Sequence, residues 1–320
     1  SLLSITRSRY IPQPRWMACG FRTAHNLFIR FYLVVLVSCF LARGQSPVRA
    51  HYWPTSFGRP ELYGRAPYPG PGNLSTAKHV KWTHPAGRWA QETFAVVIDD
   101  KRNLFVTSTF GFFKVDPDGK TIWALPFKAR SSAALMGEDV YLQDEIAGNM
   151  VAVNIDTGIV RWSTYICHRW GVSTVVGAHE GVVVAGTHGG EDWSSQNMVT
   201  ALNSTDGSIL WQYPPDSQLW VFAPFFTDHD TLIFQDQIGR VYQLGLYDGK
   251  VMWKAGYQGA YTETWVDGNP ILADGVVYAV HLAEPLERLS PTVPGDLSAY
   301  RVSDGELLWR HHFAGPTNTQ

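Results

Sequence analysis

Ala152-Val-Asn-Ile-Asp-Thr-Gly-Ile-Val-Arg-Trp162 and Ala201-Leu-Asn-Ser-Thr-Asp-Gly-Ser-Ile-Leu-Trp211 are one pattern written twice. Each runs from a strand-like stretch through a turn glycine to a tryptophan four residues later. The same cadence occurs five times, at Gly119/Trp123, Gly158/Trp162, Gly207/Trp211, Gly249/Trp253 and Gly305/Trp309. The residue before each glycine is Asp118, Thr157, Asp206, Asp248 or Asp304. Successive tryptophans stand 39, 49, 42 and 56 residues apart. Short strands repeating at about 40–50 residues are the mark of propeller blades.

The local chemistry agrees. Asp-Gly and Thr-Gly reverse a chain because glycine accepts positive φ without a Cβ clash. A further strand precedes each hairpin: Leu104–Ser108, Asp139–Leu142, Gly181–Ala185, Thr231–Phe234 and Gly275–Ala279. Another precedes that, as in Phe94–Ile98. Four strands per repeat make one blade, and no stretch after Gln45 keeps a helical period. The expected fold is therefore all-β, a β-propeller of four-stranded blades. The repeated tryptophan reads as structural, its faces buried between neighbouring blades and its N–H paired. Val80-Lys-Trp82-Thr looks like an outer strand with no repeat ahead of it. Five full blades plus this orphan strand read as part of a seven- or eight-bladed ring.

Composition narrows the class. The 320 residues carry 26 Lys+Arg against 28 Asp+Glu, 17% charged and 13% aromatic residues. Disorder needs fewer apolar residues and more charge, and nucleic-acid binding leaves a basic footprint. Residues 1–44 hold six arginines and no acid, which leaves 20 basic against 28 acidic residues beyond. From Met17, basic residues precede the apolar run Phe31–Leu41, and Ala42-Arg43-Gly44 places small residues before a cut at Gln45. Residues 17–44 read as a signal peptide, with a membrane anchor over 27–42 or a buried strand as alternatives. The run is shorter than the roughly 18–20 apolar residues of a bilayer span. Residues 1–16 read as an upstream segment without structure, 45–77 as an irregular Pro/Gly-rich lead-in, and 78–320 as the partial propeller. The expected location is the secretory pathway, secreted or lumenal, with sequons at Asn73 and Asn203.

The motif resembles the quinoprotein (pyrroloquinoline quinone, PQQ) repeat family over about residues 78–312. The resemblance implies a site to look for: PQQ and Ca²⁺ on the propeller axis, with a carboxylate base, oxygen ligands and a tryptophan floor. Gly186-Thr-His-Gly-Gly-Glu191 is similar to the segment whose glutamate ligates calcium. Trp220 stands where the floor tryptophan would, and Glu263, in Tyr261-Thr-Glu263-Thr-Trp265, where the base would. Asp236 replaces the metal-ligating asparagine within Gln235-Asp236-Gln237. The family's adjacent cysteines have no counterpart, since Cys19, Cys39 and Cys167 are scattered.

Other constellations are weaker. Cys167-His168 and His311-His312 are neighbours that a strand points to opposite faces. His179-Glu180 opens like a zinc-protease motif but has Val183 where a second histidine is needed. Asp100, Asp116 and Asp118 read as turn formers. The functional expectation is a non-catalytic binding or scaffold propeller for other proteins or a small axial ligand. The alternative is a PQQ- and Ca²⁺-dependent dehydrogenase of alcohols or sugars. Membrane contact is expected only if the leader stays uncleaved.

Overall fold

The computed structural model describes residues 49–58, 81–82, 95–129, 131–167, 172–188, 197–219, 222–256, 269–282 and 295–314. The chain divides into units 1–48 and 49–320. The leader, 1–16 and 17–44, lies outside the described residues.

The second unit contains five antiparallel four-stranded sheets, each a meander in chain order, and no helix among the described residues. Blade 1 is β1 (Val97–Ile98), β2 (Leu104–Ser108), β3 (Gly111–Val115) and β4 (Thr121–Leu125). Blade 2 is β5 (Ala134–Met136), β6 (Asp139–Asp144), β7 (Asn149–Asn154) and β8 (Val160–Tyr165). Blade 3 is β9 (Val172–His179), β10 (Val182–Thr187), β11 (Met198–Asn203) and β12 (Ile209–Tyr213). Blade 4 is β13 (Phe225–Phe226), β14 (Thr231–Gln235), β15 (Val241–Gly245) and β16 (Val251–Ala255). Blade 5 is β17 (Ile271–Ala273), β18 (Val276–Leu282), β19 (Gly295–Arg301) and β20 (Leu307–Phe313). The expected strands appear, with Gly181 and Gly275 moved from strand to turn because both take positive φ.

The core lies between the sheets. Val140 and Leu142 meet Phe105 and Phe112 of blade 1, while Tyr141 and Trp162 meet Val183 and Ala185 of blade 3. Val182, Val184 and Trp211 pack on Phe222, Phe226 and Phe234, and Ile233 and Trp253 on Val277 and Tyr300. Alternate residues of one strand thus face opposite neighbours, which is why β10 reads as an unbroken small apolar run and is buried throughout. A two-sided sheet needs apolar residues on both faces.

The tryptophans join one blade to the next. Trp82, Trp123, Trp162, Trp211 and Trp253 lie against Gly119, Gly158, Gly207, Gly249 and Gly305 respectively. Each of these glycines has φ between +65° and +87°. A Cβ on Gly207 would stand 2.5 Å from the Trp162 ring, and one on Gly249 2.6 Å from Trp211. Each indole N–H also donates to a backbone carbonyl just before that glycine. The acceptors are Pro117 (3.0 Å), Ile155 (3.2 Å), Ser204 (2.8 Å), Leu246 (2.8 Å) and Val302 (2.9 Å). The residue preceding the glycine caps the turn: Asp206, Asp248 and Asp304 accept the N–H two residues on, as does the Thr157 hydroxyl. In blade 1 Asp116 takes that role and Asp118 pairs with Lys81.

Within the lead-in, residues 49–58 are ordered against the first two blades. Trp53 exchanges backbone hydrogen bonds with Ile98 on the free edge of β1, and Leu135 of β5 donates to the Pro54 carbonyl. Arg49 reaches Asp100 (2.8 Å) of blade 1 and both Glu138 (2.9 Å) and Asp156 (3.0 Å) of blade 2. This segment ties the first edges of two sheets together.

Gly207→Ala is expected to cost about 2–4 kcal/mol, combining a left-handed alanine with a displaced indole. Gly137→Ala, at φ +60° in open space, should cost only the roughly 1–2 kcal/mol of the backbone conformation. Urea unfolding of both variants measures the difference; equal losses would mean that ring contact adds nothing.

Candidate functional site

In chain order Glu191 follows β10, Trp220 follows β12 and Glu263 follows β16, and all three lie outside the described residues. Asp236 directly follows β14 and is buried. One of its oxygens accepts the backbone N–H of Ile238 (3.2 Å) and of Arg240 (2.9 Å), closing the turn into β15. The other accepts the Tyr242 hydroxyl at 2.6 Å. This carboxylate is committed to protein donors, and no metal is needed to satisfy it. Among the described residues no three His, Cys, Asp or Glu side chains gather as a metal set.

Tyr242 connects Asp236 to a second carboxylate. Its hydroxyl lies 3.0 Å from Asp216 Oδ2 and accepts the Asp216 backbone N–H at 3.0 Å. Asp216, in the connection from β12 to β13, also takes Arg240 and, at 3.1 Å, Lys254. The Lys254 ammonium stands over the rings of Tyr213 and Tyr242, and Phe234 stacks on Tyr242 at 4.8 Å. One phenolic proton faces two carboxylates, so the network closes best when Asp236 carries a proton of its own. Burial pushes the Asp236 carboxyl up to about 6, against the pull of Tyr242 and of the Arg240 N–H. Burial would raise Asp216 too, but Arg240, Lys254 and Tyr242 hold it below the ordinary carboxylate range.

The weaker sequence motifs fall apart in space. Cys167 is half-buried, and burial pushes its thiol up to about 12, away from nucleophilic use; His168 lies outside the described residues. His312 bonds Asp296 at 2.9 Å while His311 packs on Phe313. His179 stacks on Phe226, and Glu180 is a left-handed turn residue.

The outer strands carry a feature that the sequence reading passed over. In every blade the pairing of the third and fourth strands slips by one residue just before the tryptophan, as where Ala201 pairs Trp211 but Leu202 pairs Ile209. The skipped residues are Ile122, Arg161, Leu210, Met252 and Leu308. A bulge re-aims its extra side chain and spoils the edge for further strand pairing. Four of the five are large and apolar, and Met252 is 61% exposed. Three consecutive apolar residues, as in Ile209-Leu210-Trp211, were the available signal, since a regular edge strand would alternate.

Sheets stacked face to face, joined tryptophan to glycine, define a β-propeller of quinoprotein-type repeats. The family model for the outer membrane protein assembly factor BamB matches residues 113–288, and the chain belongs to that family. It is 26% identical over 233 residues to the outer membrane protein assembly factor BamB of Yersinia pestis, covering 65% of this chain and 54% of that one. The chain thus spans about half the length of the curated relative it matches. Among solved structures it is similar to a europium-containing methanol dehydrogenase, with TM-score 0.61, 12% identity, and 82% and 58% of the two chains covered. A quinohemoprotein alcohol dehydrogenase from Comamonas testosteroni gives TM-score 0.55 and 15% identity over 86% and 51%. At such identities the likeness is one of fold.

The raised Asp236 carboxyl sets a pH test. The folded protein holds that proton to higher pH than the unfolded chain, so this group's contribution to stability is greatest near pH 4 and is lost as pH rises through about 6. Asp236→Asn keeps the turn acceptor and removes the buried charge. It is expected to gain about 1–3 kcal/mol over the parent at pH 7.5 and little at pH 4.5. Parallel unfolding midpoints across that range would refute the assignment.

Proposed function

We propose that this chain is a secreted or lumenal propeller that binds other proteins through its outer rim and catalyses nothing. The observation that carries this reading is the bulged rim: Ile122, Leu210, Met252 and Leu308 present apolar side chains to solvent from four outer strands. Exposed large apolar groups repeated at one structural position mark an interaction surface when they form a patch. The bulges disfavour recognition by strand addition, so side-chain packing supplies the contact. Membership in a family described as an assembly factor supports the same reading.

A photo-crosslinking residue at Met252 or Leu210 is expected to give a discrete protein adduct in a secretory-fraction extract, whereas one at Asp274 should not. Asp274 is a left-handed turn residue between β17 and β18. Met252→Glu should abolish the adduct formed through Leu210 while shifting stability by no more than about 0.5 kcal/mol, as for other exposed sites. The full chain should also fail to take up PQQ with Ca²⁺. Stoichiometric quinone absorbance that disappears in Glu263→Gln, with dye reduction by alcohols, would replace this reading with the dehydrogenase.

A further inference from the structure

Each blade carries one cross-strand row ending in its tryptophan: Phe105–Lys114–Trp123, Tyr141–Ala152–Trp162, Val184–Ala201–Trp211 and Ile233–Gln243–Trp253. All four rows face the following sheet. In blade 5 the same register gives Tyr278–Ala299–Trp309. Here the row meets no sheet among the described residues. Trp309 is 45% exposed against 7–9% for Trp162, Trp211 and Trp253, and its ring touches Tyr278 of its own blade at 6.0 Å. Strand β18 alternates accordingly: Val277 and Ala279 are buried toward blade 4, while Val276, Tyr278 and Val280 are half-covered on the other side. Ile271 and Leu297 extend that apolar face.

We propose that this face of blade 5 is a docking surface for one further four-stranded sheet of the same repeat type. The sheet is recognised at two points: a left-handed glycine between its third and fourth strands receives the Trp309 ring, and a carbonyl two or three residues earlier accepts the indole N–H. Five junctions already follow this rule, so the surface is continuous with an interface that the molecule makes repeatedly. Trp82 belongs to none of the five sheets and still satisfies both points at Gly119 and Pro117, so the rule does not require a tryptophan from a neighbouring blade. Trp82 also argues against a second copy of this chain as the occupant. The glycine that a second copy would offer, Gly119, already carries an indole. The inference stands apart from the rim reading, because it concerns the sheet face rather than the outer edge.

The test is a chain that runs from Phe313 directly into a second copy of residues 214–256, which reproduces the natural connection from β12 into β13. The Trp309 indole N–H, assigned by its loss in Trp309→Phe, is expected to exchange at least about 100-fold more slowly with solvent than in the parent, as a buried hydrogen-bonded group should. The appended copy should become protease-resistant. Both effects should vanish when alanine replaces the appended copy's equivalent of Gly249, although the five original blades remain folded by circular dichroism. An appended copy that stays protease-sensitive beside folded blades would overturn the proposal. So would concentration-dependent self-association of the parent chain in sedimentation, abolished by Trp309→Ala, since the occupant would then be a second copy.

Discussion

An indole ring lying on a glycine at positive φ decides how one sheet of this protein sits against the next. The contact sets a distance, because any Cβ would push the ring away. It also sets a direction, because the indole N–H must meet one particular carbonyl. The apolar surfaces between blades supply more free energy, since burying one Phe234- or Leu232-sized side chain contributes roughly 1.5–3 kcal/mol. Apolar packing is nonetheless non-directional. Small valines and alanines on both faces of β10 and β11 would tolerate several offsets, and the tryptophan selects one.

That division explains what could be read from the chain. The blades were legible because strand, turn and tryptophan lie within about a dozen residues of each other, and period-two alternation and turn chemistry are local properties. The structural role of the tryptophan followed from its repetition. The glycine's second role, receiving a ring from the preceding blade, was hidden. Gly207 and Trp162 are 45 residues apart in sequence, and nothing local distinguishes a turn glycine that is packed upon from Gly137, which faces open space. The lead-in shows the same limit. Arg49 has no periodic neighbours, and its three acidic partners become one cluster only when blades 1 and 2 are stacked.

The candidate site divides along similar lines. Asp236 was singled out because a quinoprotein-like pattern places a metal ligand near it, whereas its surroundings are set by Asp216, Tyr242 and Lys254 on other segments. A residue's position within a repeat carries over from one family member to another; its hydrogen-bond partners come from connections that each chain builds separately. In this protein the connection from β12 to β13 delivers Asp216 to Tyr242, and the aspartate becomes part of a polar clasp between loop and blade. The fold likeness to quinone-dependent dehydrogenases extends to strands and tryptophans, and chemistry does not follow from those elements.

The rim and the open face of blade 5 place complementary demands on the same repeat. A propeller made of near-identical sheets exposes two kinds of surface capable of uncontrolled growth, the outer edge strands and the face of any sheet without a neighbour. The edge is blunted in every blade by a bulge at the residue before the tryptophan, which turns Leu210 or Met252 outward and interrupts the ladder. The face cannot be blunted in that way, because its apolar row is what joins one sheet to the next. Its selectivity has to come from the partner, and the two-point requirement for a left-handed glycine and a correctly spaced carbonyl supplies it. Few surfaces meet both conditions, and on this chain the turn at Gly119 that meets them is already filled by Trp82. The repeat therefore combines a sticky face with a narrow definition of what may cover it, and it leaves the outer rim free for contacts of another kind.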